Sequence, residues 1–184
     1  MPAKFTTSLL LTTALLLSAC GTRMNPGNSD DRSLLHDRAQ AALRDFQATD
    51  SSLATLLNSS QAYVIFPRIM TAAVGVGGAY GKGEVYQKGK FTGFADVTQG
   101  SVGAQLGGQK YAELILFRTE VPFVDFTHGT FEFDVRASAI LASNGAAKTA
   151  DYSRGVLVFT MPEAGAMFQA SIGGQQFHYT PATQ

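Results

Sequence analysis

The stretch VGVGGAYGKG at residues 74–83 carries five glycines in ten residues, and its conformation decides the fold. It suggests either a phosphate-binding loop or a glycine-rich strand. A dinucleotide-binding motif needs glycines at i, i+2 and i+5, but the third position counted from Gly75 is Tyr80. A P-loop fails as well, because Val76 stands five residues before Gly81, where a glycine is required. The alternating valines instead predict a bent strand whose glycines allow close backbone approach.

Short apolar or alternating runs on both sides of this stretch have the length of strands. YVIF at 63–66, ELILF at 113–117 and VLVF at 156–159 are runs typical of strands buried on both faces. FEFDVRA at 131–137 and FQASI at 168–172 alternate apolar and polar residues, as half-buried strands do. These patterns predict several strands after residue 62.

The chain before residue 62 has helical periodicity. Apolar residues recur at helical spacing from Leu35 to Phe46, with charged residues between them, which predicts an amphipathic helix. A second short helix is predicted over Leu53–Leu57, with Ser51 or Ser52 as its N-cap. The predicted fold class is therefore α+β, with N-terminal amphipathic helices followed by a glycine-rich, mainly antiparallel β-sheet or open barrel.

The first 19 residues have the organisation of a bacterial lipoprotein signal peptide. Lys4 precedes an apolar run at residues 9–17, which is too short to span a bilayer, since that takes about 20 residues. LSAC at 17–20 has the form of a lipobox, in which the cysteine is acylated and becomes the new N-terminus. The alternative is an ordinary signal peptide followed by a chance cysteine.

Lipidation of Cys20 would anchor the chain stably, because two or more acyl chains hold a protein on a membrane. Gly21 after the cysteine, rather than aspartate, indicates sorting to the outer membrane, facing the periplasm. Residues 20–33 are then predicted to be the lipidated cysteine and a flexible tether, and residues 34–184 a single domain.

Charge is balanced in the chain that follows the signal peptide, with 13 basic and 14 acidic residues. This balance argues against nucleic-acid binding. Lys82, Lys88 and Lys90 lie in a predicted hairpin, GKGEVYQKGKF at 81–91, which also contains aromatic residues. Such lysines suit an anionic phospholipid surface, where each contributes about 1 kcal/mol. They equally fit an ordinary solvated hairpin tip, and charge alone does not separate the two.

Residues that could support catalysis or metal binding are sparse. Ser101 lies in QGSVG, but Gln99 stands where a nucleophile elbow requires glycine. His36, His128 and His178 show no metal-ligand spacing and are expected to be surface residues. The sequence therefore predicts no catalytic residue, no cofactor and no metal. A hydrolase around Ser101 or the acidic cluster of Asp125, Glu132 and Asp134 is the weakest hypothesis.

Four segments in this order resemble the SYLF domain, a lipid-binding module of bacterial lipoproteins and eukaryotic actin regulators. They are a strand ending in IFP at 65–67, TAAVGVGGAYGKGEVY at 71–86, GSVGAQLGGQKYAELILF at 100–117 and GAMFQASIGGQQF at 165–177. The resemblance covers roughly residues 35–180, and GSVGAQLGGQ is its most specific part. It implies a non-enzymatic phospholipid-binding domain.

Together these features predict a membrane-anchored envelope lipoprotein that contacts anionic phospholipid headgroups. Lys82, Lys88, Lys90 and Arg68 are the candidate contact residues, and the helix from Leu35 assists them. The alternative is a structural or assembly lipoprotein that forms homo-oligomers or docks to another envelope protein.

Overall fold

The computed structural model describes residues 29–129, 139–140, 155–163 and 175–182. The helices and strands run in the order α1 (Ser29–Thr49), α2 (Leu53–Ser59), β1 (Ala62–Gln87), β2 (Lys90–Phe117), α3 (Glu120–Thr127), β3 (Ala139–Ile140), β4 (Val156–Pro162) and β5 (Gln175–Pro181). The predicted α+β class is confirmed, with two helices first and a mainly antiparallel sheet after them. In the described part of the chain the sheet does not close into a barrel.

A long hairpin of β1 and β2 forms the centre of the sheet. The two strands pair antiparallel from Ala62 opposite Phe117 to Gln87 opposite Lys90. Two further strands share the other edge of β2: β5 pairs with residues 93–99 and β4 with residues 111–117. Strand β3 adds to β4 in the parallel direction.

Strand β1 folds back on itself, and glycines lie where its two halves come into close contact. The backbone N–H of Lys88 donates to the carbonyl oxygen of Gln61 at 3.0 Å. A β-carbon at Gly83 would lie 2.6 Å from the carbonyl oxygen of Ile65. The first and second halves of β1 therefore lie against each other in opposite directions. Midway between them is the bulge at Val74 and Val76, so residues 74–83 form the predicted bent strand.

The hairpin predicted at residues 81–91 is also confirmed. Lys88 and Gly89 form its two-residue turn, with φ of +49° and +74°. Positive φ at both positions is typical of a type I′ turn, whose twist matches that of the flanking strands. The turn leaves Lys88 and Lys90 exposed.

The two faces of the sheet carry separate apolar cores. On the outer face, α1 and α2 place residues such as Phe46 and Leu53 against Ile65 and Leu114. On the inner face the rolled hairpin packs against α3, and rings such as Phe126 and Phe177 meet at 5.4 Å. Helix α1 is thus fixed to the outer face along its buried residues.

Three details differ from the sequence predictions. Helix α1 begins at Ser29, so residues 29–33 are helical and not tether; Asp30 and Asp31 in the first turn favour this start through the helix dipole. Helix α2 does follow Ser52, but the cap is the carboxylate of Asp50, which accepts from the Ser52 N–H at 2.9 Å. Helix α3 has no counterpart in the predictions. The strands predicted at 131–137 and 168–172 lie outside the described residues.

Candidate functional site

A row of four aromatic rings crosses the outer face beside α1. Tyr63 stacks on Tyr86 with ring centres 4.7 Å apart, and Phe91 meets Tyr86 edge-on at 5.8 Å. Phe94 continues the row, 5.1 Å from Phe91, and the guanidinium of Arg32 lies 5.6 Å from its ring centre. Arg32 comes from the first turn of α1, so this aromatic row connects the start of the helix to the hairpin turn.

A buried carboxylate lies beneath α1 next to this row. Glu84 is only 2% exposed, and its Oε2 accepts from the Tyr86 hydroxyl at 2.6 Å and from His36 Nδ1 at 3.2 Å. Gln40 in turn donates to the Tyr86 hydroxyl at 2.8 Å. Burial and the nearby charge of Glu84 raise the pKa of Tyr63 to about 12. Burial, together with the same carboxylate, also raises the pKa of Tyr86, so both tyrosines stay neutral donors.

These residues line a groove of about 410 Å³, which we call the N-terminal groove. Helix α1 supplies one wall, and the hairpin together with the end of β5 supplies the other. Its lining is Arg32, Ser33, His36, Glu84, Phe91, Phe94, Pro181 and Ala182. The groove thus combines a buried carboxylate, two aromatic rings and basic side chains.

The structure brings together only two of the four predicted basic residues. Lys88 and Lys90 share the hairpin turn, next to Phe91, which is 39% exposed. Lys82 is half-buried farther along β1, where it pairs across the ladder with Asp96. Arg68 forms an exposed ion pair with Glu163 at 2.9 Å, within the irregularity of β1 between Phe66 and Ile69. The turn is therefore the one place where the predicted residues form a group.

A second groove, of about 640 Å³, runs along the other side of α1, and we call it the C-terminal groove. Ala41, Ala42 and Ala48 line its helix side, and Met161 lies on the strand side. The ion pair of Arg68 and Glu163 stands at its rim. Arg38, Asp45 and Thr49 also line its helix side, so alanines and polar side chains alternate along this wall.

The three histidines weighed for metal binding lie on three different parts of the fold. His36, His128 and His178 are all exposed, as predicted, and lie on α1, at the end of α3 and on β5. No group of three or more metal-ligating side chains occurs among the described residues. The side chain of Ser101 and the predicted lipidation site, Cys20, lie outside the part of the chain that the structure describes.

Comparison with known proteins adds no assignment: no protein-family model matches the chain, and no curated protein is significantly similar to it. Within the described residues, none of the helices is both long enough and apolar enough to cross a bilayer.

Sequence reasoning did not identify Arg32, His36 or Glu84 as site residues. Arg32 and His36 on α1 lie at least 48 positions before Glu84 on β1, and only the packing of α1 on β1 brings them together. One signal was present in the sequence: Glu84 lies between Gly83 and the apolar Val85 within a predicted hairpin strand. A carboxylate that becomes buried at such a position requires hydrogen-bonding partners.

Proposed function

We propose that the protein is an envelope lipoprotein anchored to an anionic phospholipid membrane. One end of its domain contacts the surface of that same membrane. The contact is made by the hairpin turn, through Lys88, Lys90 and Phe91, and by the first turns of α1. It is a non-enzymatic membrane-binding function, in keeping with the resemblance to the SYLF domain. Lys82 and Arg68 contribute less, because each faces a carboxylate on the domain itself.

The observation that carries this proposal is that the turn and the start of α1 share one groove. Phe91 and Arg32 both line it, and Lys90 directly precedes Phe91. Only eight residues separate Cys20 from Ser29, so this connection spans at most about 30 Å. An acylated Cys20 therefore keeps the start of α1 close to the membrane, and the basic turn with it.

The chemistry of the turn suits such a surface. Two exposed lysines beside an exposed aromatic ring combine attraction to anionic lipid with an apolar group for the interface. The rest of the aromatic row fixes Phe91 through edge-on contacts on both sides. Because the ring is already held in place, it loses little conformational entropy when it contacts the membrane.

Flotation with vesicles tests this site, using residues 21–184 so that no acyl chain contributes. At low salt we expect binding to vesicles containing phosphatidylglycerol and little binding to neutral vesicles. Lys88→Gln and Lys90→Gln should each weaken binding about fivefold, since each lysine contributes about 1 kcal/mol. Lys110→Gln is the matched control, because Lys110 is exposed on β2 away from the turn.

Equal losses from Lys90→Gln and Lys110→Gln would reject the turn as the contact site. Absence of binding to anionic vesicles at low salt would reject the function itself.

A protein-docking role, the second candidate, has one supporting observation. Val121 and Val124 on α3 are 70% and 40% exposed and lie three residues apart, so they share one side of the helix. This apolar pair would serve as a contact for a second copy or another envelope protein. Light scattering of residues 21–184 tests self-association, and Val121→Ser should abolish any dimer that it detects.

A further inference from the structure

We propose that the N-terminal groove binds a phosphoethanolamine group, with its primary ammonium at Glu84 and its phosphate toward Arg32 and His36. This inference rests on the proposed function, because it names the headgroup taken at the same end of the molecule. The same chemistry occurs in a lipid headgroup and in a soluble phosphate ester, and the experiments below treat the two sources separately.

The acceptor for the ammonium is the second oxygen of Glu84. Both hydrogen bonds of this carboxylate, from Tyr86 and from His36, go to Oε2. Oε1 accepts none from any part of the chain that the structure describes. Because Glu84 is 98% buried yet lines the groove, Oε1 is an acceptor that a ligand in the groove can reach. A buried carboxylate oxygen gains most from a charged N–H donor.

The walls of the groove suit the rest of the group. Phe91 lines the groove together with Glu84, and the face of an aromatic ring attracts an ammonium group. Arg32 stands on the helix wall and supplies N–H donors for a phosphate. His36, one turn of α1 later, donates from Nδ1 to Glu84, and it donates to a phosphate from Nε2 only as the imidazolium. The groove thus offers a carboxylate and a guanidinium to one ligand, as a group that carries both an ammonium and a phosphate requires.

This arrangement distinguishes between related headgroups. A quaternary ammonium has no N–H to donate to Oε1, and its methyl groups keep its charge farther from the carboxylate. A glycerol phosphate headgroup has no cation and would bring a second negative charge toward Glu84. Of these three headgroups, only phosphoethanolamine brings both an N–H donor for the carboxylate and a phosphate for the basic side chain.

The first experiment uses soluble probes and residues 21–184. Amide resonances of Arg32, Glu84 and Phe91 should shift on titration with glycerophosphoethanolamine. Its affinity should exceed that of glycerophosphocholine and of glycerol phosphate at least fivefold. Glu84→Gln keeps the shape of the side chain and should remove this preference. Glu163→Gln, which changes a carboxylate at the C-terminal groove, is the matched control and should leave the preference unchanged.

The second experiment uses vesicles with a fixed share of phosphatidylglycerol and either phosphatidylethanolamine or phosphatidylcholine as the remainder. Vesicles with phosphatidylethanolamine should bind several-fold more tightly, and Glu84→Gln should equalise the two. Phe91→Ala, at a half-exposed position that the core does not need, should reduce the difference without unfolding the domain.

The outcomes separate this inference from the proposed function. Equal binding of both vesicle types, with loss of binding in Lys88→Gln and Lys90→Gln, would overturn the headgroup assignment and leave the membrane contact intact. Loss of the soluble-probe preference in the Glu163→Gln control, or its persistence in Glu84→Gln, would also overturn the assignment. Specific binding of the soluble ester with no lysine-dependent vesicle binding would instead reject the proposed function and retain the groove.

Discussion

Glu84 and Glu113 are both buried on the central hairpin, but their surroundings differ. Oε2 of Glu84 accepts two hydrogen bonds, and Glu84 lines the N-terminal groove, where we propose that its Oε1 binds a ligand. Glu113 points into the inner core, fully buried, and receives one hydrogen bond from Gln175 at 3.2 Å. Its Oε1 has no partner in the described part of the chain, and the hydroxyl of the neighbouring Thr160 also lacks one. Burial accordingly raises the pKa of Glu113 to about 7.

The raised pKa of Glu113 predicts a pH-dependent stability. Its folded pKa, about 7, lies above the ordinary value of 4.5, so the folded state holds the proton more tightly than the unfolded state. The free energy of unfolding should therefore fall as pH rises from about 4.5 to about 7, by on the order of 3 kcal/mol for this group. Asp96, whose pKa burial also raises, acts in the same direction.

Glu113→Gln should flatten this profile and make the protein more stable than the parent at pH 8. The amide keeps the shape, carries no charge and can donate to the Thr160 hydroxyl. Urea unfolding at pH 5 and pH 8 measures both effects. Glu163→Gln, at an exposed carboxylate, is the control, and an equal gain in that variant at pH 8 would contradict the explanation.

At the scale of helices and strands, the sequence predicted correctly those elements whose pattern is local. The helix from Leu35, the strand at 156–159 and the turn at Lys88 follow from periodicity and turn chemistry. The sequence did not predict strand lengths or strand paths that depend on long-range packing. Runs such as 63–66 and 113–117 are parts of two strands of 26 and 28 residues, and nothing local indicates that β1 returns across itself. The N-terminal groove depends on that return and on the docking of α1, so its members could not be grouped in advance.

The return of β1 predicts a large difference between two glycines. Gly83→Ala should destabilise the domain by about 1–3 kcal/mol, because the new β-carbon would lie 2.6 Å from the Ile65 carbonyl oxygen and 2.7 Å from the Phe66 ring. Gly100→Ala should be neutral or slightly stabilising, since nothing lies within 4 Å of a β-carbon there. Urea denaturation compares the two, and similar effects would show that the halves of β1 do not touch.

The whole molecule is organised around the rolled hairpin. Its roll places the turn at Lys88 beside the beginning of β1, and it places Tyr86, two residues before the turn, against Gln40 of α1. One end of the domain therefore holds the exposed lysines, the exposed ring of Phe91 and the helix start that follows Cys20. Helix α3 packs on the inner core and contributes nothing to that end. Under the proposed function, the domain would present this one end to the bilayer.

The orientation of the domain on a membrane tests this account most directly. Residues 21–184 are bound to phosphatidylglycerol vesicles that carry a paramagnetic lipid headgroup, and the broadening of each backbone amide resonance is measured. The account predicts strongest broadening at Lys88, Lys90, Phe91 and residues 30–36, and little at α3. Strongest broadening at α3, or equal broadening throughout the domain, would contradict it.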